Sequence, residues 1–230
     1  MQPQKVNDMT NKKSVKDILI IFYVAATVLI FALVLIIPAS REVFGKLSSE
    51  HPYIMGFIKF SLLATSGELV AAYIKNAKPT LPAKIICRFL IWGVIGIWIT
   101  FMMKIYSSAV ASMMANGMLI GGDNVFLRAL YTSVVMNTTF APTFMALHKC
   151  SDTFLELKAA GKSTKLDSVI KEIDWSRFCS FTILKTVPLF WIPAHTVTFL
   201  LPSQYQVMMA AALSVALGIM LSISSRKAKQ

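Results

Sequence analysis

Six stretches of about twenty residues in this chain carry almost no charge. At about 1.5 Å of rise per residue, a helix of that length crosses a hydrocarbon core roughly 30 Å thick. The stretches run over about 18–38, 53–75, 84–106, 126–148, 178–201 and 204–224. Backbone donors and acceptors inside a bilayer must be satisfied within their own segment, so such stretches fold as helices. The expected fold class is an all-α membrane protein, with six transmembrane helices forming one bundle over 18–224. Composition agrees: 56% of the 230 residues are apolar and 15% charged, against about 45–50% and about 25% in soluble domains. A soluble enzyme, a disordered chain and a disulfide-stapled secreted domain are excluded. The run Ile18–Pro38 is too long for a signal-peptide core, and Pro38-Ala39-Ser40 is a poor cleavage site, so the first helix is expected to be retained.

The net charge of +12 would suit a nucleic-acid binder until the charges are located. With the N-terminus inside, 17 basic residues fall in inner segments and 4 in outer ones (Arg41, Lys46, Lys104, Arg128), leaving Lys59 and Lys185 within spans. That asymmetry is a topology signal. It predicts cytoplasmic termini at 1–17 and 225–230, a lipid bilayer as the partner, and no nucleic acid. Two connections are long. Residues 107–123 are small, Met-rich and glycine-containing, which suits an outer-surface helix or a re-entrant segment. Residues 150–177 place Leu166, Val169, Ile170 and Ile173 at helical spacing, with Ser163 or Thr164 as a cap and Trp175 at headgroup level. That predicts an amphipathic cytoplasmic segment.

Ionisable groups in hydrocarbon are costly, so each one inside a span is a functional candidate. Glu68 lies seven residues before the inner end of the second span, and Lys185 seven after the inner start of the fifth. Equal depth predicts that the two pair, either as a structural ion pair or as part of a gate or solute site, with Arg88 as an alternative partner for Glu68. Ser61 and Thr65 share a helix face with Glu68 and should look into the bundle, while Lys59, on the opposite face, should snorkel outward. In the fourth span Asn137, Thr138 and Thr139 sit at mid-depth, either bonding neighbouring helices or lining a wet path. Pro142, in the same span, is expected as a further helix-break position. In the fifth, Pro188 and Pro193, with Pro202 just beyond, predict a kinked or broken helix ahead of His195. Ala210, Ser214, Gly218 and Ser222 repeat every four residues, a seam for close helix packing within the chain or between copies in a homo-oligomer.

Several chemistries are absent from the sequence. Cys87, Cys150 and Cys179 fall near inner helix ends, where no disulfide is expected. His148-x-Cys150 is too small a set for zinc, and there is no phosphate-binding loop or nucleophile motif. No cofactor, metal or catalytic residue is expected.

Four short motifs occur in order over residues 51–224: His51-Pro52, Gly67-Glu68-Leu69-Val70-Ala71-Ala72, Ala141-Pro142 after Phe140, and Leu201-Pro202-Ser203-Gln204-Tyr205-Gln206. Together they resemble the Mpv-seventeen / twenty-two-kilodalton peroxisomal membrane protein family of small multi-pass proteins. Glu68, Ala72 and Gln206 replace the family's Asp, Gln and Arg, its Gln-x-x-Asn-Phe segment is not recognisable, and the span 18–38 lies outside the resemblance. The resemblance implies a weakly selective pore for small solutes in an inner mitochondrial, peroxisomal or similar membrane, with Glu68, Pro142, Pro202 and Tyr205 as the matched positions.

The readings that remain belong to different classes. The first is a channel or transporter for a small solute, with Glu68 and Lys185 setting charge selection and Asn137, Thr138 and Thr139 holding water. The second is a non-conducting membrane scaffold that uses the same groups for packing. A third, an intramembrane enzyme, has only His195 behind it. Asp8 and Asp17, with no arginine before Arg41, argue against a mitochondrial transit peptide. A bacterial cell membrane is expected, with an organellar membrane as the alternative.

Overall fold

Helix follows helix from Val15 to Lys227, with no strand among residues 15–227, the part of the chain that the computed structural model describes. In order these are α1 (Val15–Ile36), α2 (Pro38–Glu50), α3 (Pro52–Asn76), α4 (Ile85–Ala115), α5 (Val125–Ala159), α6 (Leu166–Glu172) and the single turn α7 (Trp175–Arg177). A π-helical segment, Phe178–Trp191, then runs into α8 (Ile192–Leu200), and α9 (Ser203–Lys227) ends the described chain. The terminal charges Lys5, Lys12, Lys13 and Lys229 of the expected inner set lie outside the described residues.

Five of the described helices are long and apolar enough to cross a membrane: α1, α3, α4, the unit Trp175–Leu200, and α9 over Ser203–Met220. These are compatible with a multi-pass membrane protein. The stretch expected as the fourth of six spans is the 35-residue α5, and its run of Thr132, Ser133, Asn137, Thr138 and Thr139 keeps it outside the apolar set. It is nonetheless part of the bundle, packed on α4 and α8.

The bundle buries many polar side chains beside its apolar core and turns large apolar ones outward. Of its seven most deeply buried large side chains six are polar (Asn137, Thr100, Thr132, Thr198, Ser61 and Ser133), and only Phe60 is apolar. Leu19, Phe22, Leu29, Ile86, Val94, Leu184 and Leu189 face outward. A water-soluble fold distributes these groups the other way round. Half of the buried serines and threonines bond the carbonyl one turn back on their own helix, as Thr100 does to Gly96 and Thr198 to Ala194.

The connections differ from the sequence expectations. The link between the first two spans is itself a helix, α2, opened by Pro38 at its first turn and closed at His51, which also begins α3. Proline at a first helical turn loses only a donor that would be unpaired there. Residues 107–115 form neither a separate surface helix nor a re-entrant segment, because α4 continues to Ala115. The tight turns after it use Gly117, Gly121 and Gly122 at positive φ. α5 likewise runs on to Ala159. The amphipathic segment shortens to α6, whose N-cap is Lys165 without a side-chain cap bond, in place of Ser163 or Thr164. Val169 and Ile173 bury against Leu157 with Cys150 and Trp175 beside them, while Leu166 and Ile170 are exposed. Of the kink or break expected at Pro188 and Pro193 no break occurs, and α5 likewise runs unbroken through Pro142. Pro188 lies inside the π-helical segment and Pro193 in the first turn of α8, so the chain changes helical register there and stays continuous, with Ile192 N–H donating to Val187 O.

α3 is the central element, touched by α1, α2, α4 and α9. Its contact with α4 depends on glycine. A Cβ on Gly96 would collide with the Gly56 carbonyl and lie 2.7 Å from Phe60 Cβ, and one on Gly67 would lie 2.8 Å from Val215 of α9. Ser61 and Thr65 face into the bundle as expected, but the opposite face is buried too, so Lys59 does not lie on an outer surface. Ser61 bonds Phe89 O of α4, Thr65 is buried towards Tyr23 of α1, and Ser66 is buried as well. The α9 seam is likewise only partly a packing surface. Ala210 is buried, but Ser214 and Gly218 line a cavity, and a Cβ on Gly218 would meet nothing within 4 Å.

Two glycine substitutions should therefore behave oppositely in thermal melts of the detergent-purified protein. Gly96→Leu overpacks the α3–α4 contact and should lower stability by about 1–3 kcal/mol or abolish folding. Gly218→Ala has space and gains helix propensity of up to about 1 kcal/mol, so its Tm should hold or rise.

Candidate functional site

The same helices form two cavities, one towards each end of the bundle: a mostly apolar one set with a few polar groups, and a more polar one. The N-termini of α3, α5 and α9 and the C-termini of α4 and α8 meet at what is termed here the His51 end; the Asp152 end is opposite.

The cavity at the Asp152 end has a volume of about 410 Å³ and receives Glu68, Trp92, Asn137, His148, Asp152 and His195. Glu68 accepts a hydrogen bond from Trp92 Nε1 at 2.7 Å and lies 3.5 Å from Arg88 Nη1. The same guanidinium nitrogen is 2.7 Å from Asp152, Nη2 is 3.7 Å from Glu156, and Nε donates to Ala83 O at 3.1 Å. With its side chain only 8% exposed, Arg88 is thus the hub of three carboxylates from two other helices. His148 Nε2 lies 3.5 Å from Asp152, and the ring packs 4.4 Å from that of Trp92. Glu68, His148 and Asp152 offer ligand atoms within 4.8 Å of one another, close enough to hold a metal ion. Arg88 already supplies a cation to both of those carboxylates, so the group reads as an ion-pair network. The upper wall is a second network. Asn137, fully buried, donates to Ser133 O at 2.8 Å and faces His195 Nδ1 through Oδ1 at 3.1 Å, while Ser133 donates to Ile192 O at 2.7 Å. Trp191 stacks on His195. Its indole N–H and His148 Nδ1 are buried without a hydrogen-bond partner among the described residues, leaving two polar atoms on the lining for a solute or water.

The cavity at the His51 end has a volume of about 520 Å³ and a different character. Lys59, Lys104 and Arg128 line it together with seven hydroxyl side chains and no acidic residue. Lys59 does not snorkel. It is 2% exposed, because α2 covers the start of α3: its Nζ donates to Ser48 Oγ of α2 at 2.8 Å and to Gln204 O of α9 at 3.0 Å, and lies 4.4 Å from the Phe44 ring centre.

The expected Glu68–Lys185 pair does not form. Equal depth suggested it, but the short connection 77–84 makes α3 and α4 antiparallel neighbours, which brings Arg88 to Glu68 first. Lys185 lies exposed on the π-helical segment. Thr138 and Thr139 are also exposed, bonding Val134 O and Val135 O, so they hold no water inside the bundle. Asn137 and His195 do come together and line the cavity; Ser61 and Thr65 are buried outside it. Trp92, Asp152 and Gln204 carried no site expectation: Trp92 reads as one more apolar residue of the third span, and Asp152 and Gln204 lie outside a span or at its first residue, where polar groups are ordinary. Of the positions matched in the family resemblance, Tyr205 stacks on Phe44, and Pro202 sits in the turn between α8 and α9.

Removing the hub charge should be severe. Arg88→Met leaves Glu68 and Asp152 without their cation and should cost about 3–5 kcal/mol, whereas Lys185→Met should leave the thermal midpoint unchanged. A double-mutant cycle of Glu68→Gln with Arg88→Gln should show a coupling of about 0.5–3 kcal/mol; additivity would show that the pair does not interact.

No protein-family model, no curated protein and no solved structure matches this chain.

Proposed function

We propose that the protein is a channel or transporter for small solutes, in a state closed at the middle of the bundle. The observation that carries this reading is the tandem arrangement of the cavities on one set of helices. On α5, Thr132 lines one cavity and Met136 the other; on α8 these positions are Phe199 and His195, and on α9 Val207 and Ala210. Each pair is three or four residues apart, about one helical turn or 5 Å. The partition is thus a single layer of side chains, with Phe60, Met103, Met136, Ala210 and Ala211 in one packed cluster. Hydrophobic constrictions of this kind gate aqueous paths by excluding water. A scaffold needs its polar groups only at helix contacts, whereas here Lys59, Lys104 and Arg128 border one cavity and Glu68, Asp152 and two histidines the other.

In this reading α5 completes the bundle as a sixth span, and the distribution of basic residues puts the His51 end outside. The family resemblance points to the same class of function. The membrane is proposed to be a bacterial cell membrane.

Reconstitution into liposomes tests the proposal. The wild-type protein should release small solutes faster than empty vesicles. Phe60→Ala and Met136→Ala, each shown by circular dichroism to stay folded, should raise the rate by about tenfold, equivalent to about 1.4 kcal/mol of barrier. Vesicles holding folded wild-type and variant protein that leak no faster than empty ones, for anions, cations and neutral metabolites alike, would overturn it.

A further inference from the structure

We infer that the cavity at the His51 end is a binding site for the phosphate group of a small solute. As the vestibule of a pathway this rests on the transport reading; as a binding site it stands on its own geometry. The starting observation is the Lys59 ammonium, held at a depth where a charge needs compensation. Its contacts are a serine hydroxyl, a backbone carbonyl and an aromatic ring, all neutral. Those use two of its three donors. No carboxylate lines the cavity to complete the set, and two more cations, Lys104 and Arg128, border the same space. Unlike Lys59, these two are exposed to solvent. The arrangement is therefore one buried cation and two exposed ones around one space, with Ser107, Ser108 and Ser203 on the same lining as hydroxyl donors.

Structural lysines that only anchor helices are closed off by an acid, as Arg88 is at the other end of this bundle. Here Lys59 borders a volume of about 520 Å³, ample for a phosphate and the small molecule attached to it. α9 begins at Ser203 against this cavity, and Pro52, in the first turn of α3, also borders it. The partial positive charge of these helix starts is offset by the C-termini of α4 and α8 at the same end, so the cations and hydroxyls carry the site. A phosphate carries several acceptor oxygens and up to two negative charges, which matches three cations and several hydroxyls better than a single carboxylate would. A phospholipid headgroup carries the same chemistry, and the test must separate the two sources.

Purified protein in a neutral, phosphate-free detergent is titrated calorimetrically with inorganic phosphate and with glycerol 3-phosphate, using choline chloride as the control cation salt. Both phosphates should bind saturably. Arg128→Gln and Lys104→Gln, surface changes that leave folding intact, should each weaken binding by about tenfold, and Lys59→Gln should abolish it where the variant folds. In a second arm the protein is placed in nanodiscs of phosphatidylcholine with phosphatidic acid. If phosphatidic acid is retained in a way that depends on Arg128, while neither free phosphate binds, the site reads lipid and is no vestibule for a solute. If no phosphate ligand binds, or the Arg128→Gln and Lys104→Gln proteins bind as the wild type does, the inference is overturned, and liposome flux of neutral solutes would still stand as evidence for transport. Binding without any flux keeps the site and removes the transport reading.

Discussion

At the crossing of α3 and α4, Gly56 and Gly96 let two backbones come closer than any side chain would allow, and the polar interior is organised by that contact. In hydrocarbon there is no hydrophobic force between helices, so close packing and interhelical hydrogen bonds hold a bundle together. The approach of α3 to α4 sets the distance at which Ser61 reaches Phe89 O and Trp92 and Arg88 reach Glu68. It also makes α3 a central helix touched by four others, so Lys59, Ser61, Ser66 and Glu68 along it find their partners inside the protein.

Much of the architecture could be read from the sequence, since uncharged runs of twenty residues have few ways to fold. Where reading by depth failed, the missing information was which helices are neighbours. Glu68 and Lys185 have matching depths, but residues 77–84 are too short a link to separate α3 from α4, so Arg88 is the nearer cation. Lys59 illustrates a second limit. Its exposed reading assumed an open outer surface, and the segment Pro38–Glu50 has a composition no different from a loop, yet it folds as α2 and closes that surface. Thr138 and Thr139 show a third. A run of polar residues along one helix points in every direction, and only Asn137 of the three turns inward.

The segment from Trp175 to Leu200 solves a different problem. Prolines in a spanning helix remove donors and free carbonyls, which in lipid must be satisfied by other means. Here the helix widens to π geometry around Pro188 and returns to α geometry at Ile192, whose carbonyl takes hydroxyl bonds from both Ser133 and Thr196. The register change occurs beside His195 and Trp191, where the cavity wall is built, so its energetic cost is met by cross-bonds from α5 at the place that also needs an irregular lining.

The two cavities carry opposite charge. The Asp152 end gathers Glu68, Asp152 and Glu156 around one arginine, and the His51 end holds Lys59, Lys104 and Arg128 without an acid. Charges at the mouth of a low-dielectric path set the local concentration of ions there, because the surrounding apolar walls focus their field. In the transport reading proposed above, a negatively charged solute would be drawn to the His51 end and repelled at the other. Arg88 already offsets part of that repulsion, since it reaches all three carboxylates, but one cation against three acids leaves the Asp152 end acidic.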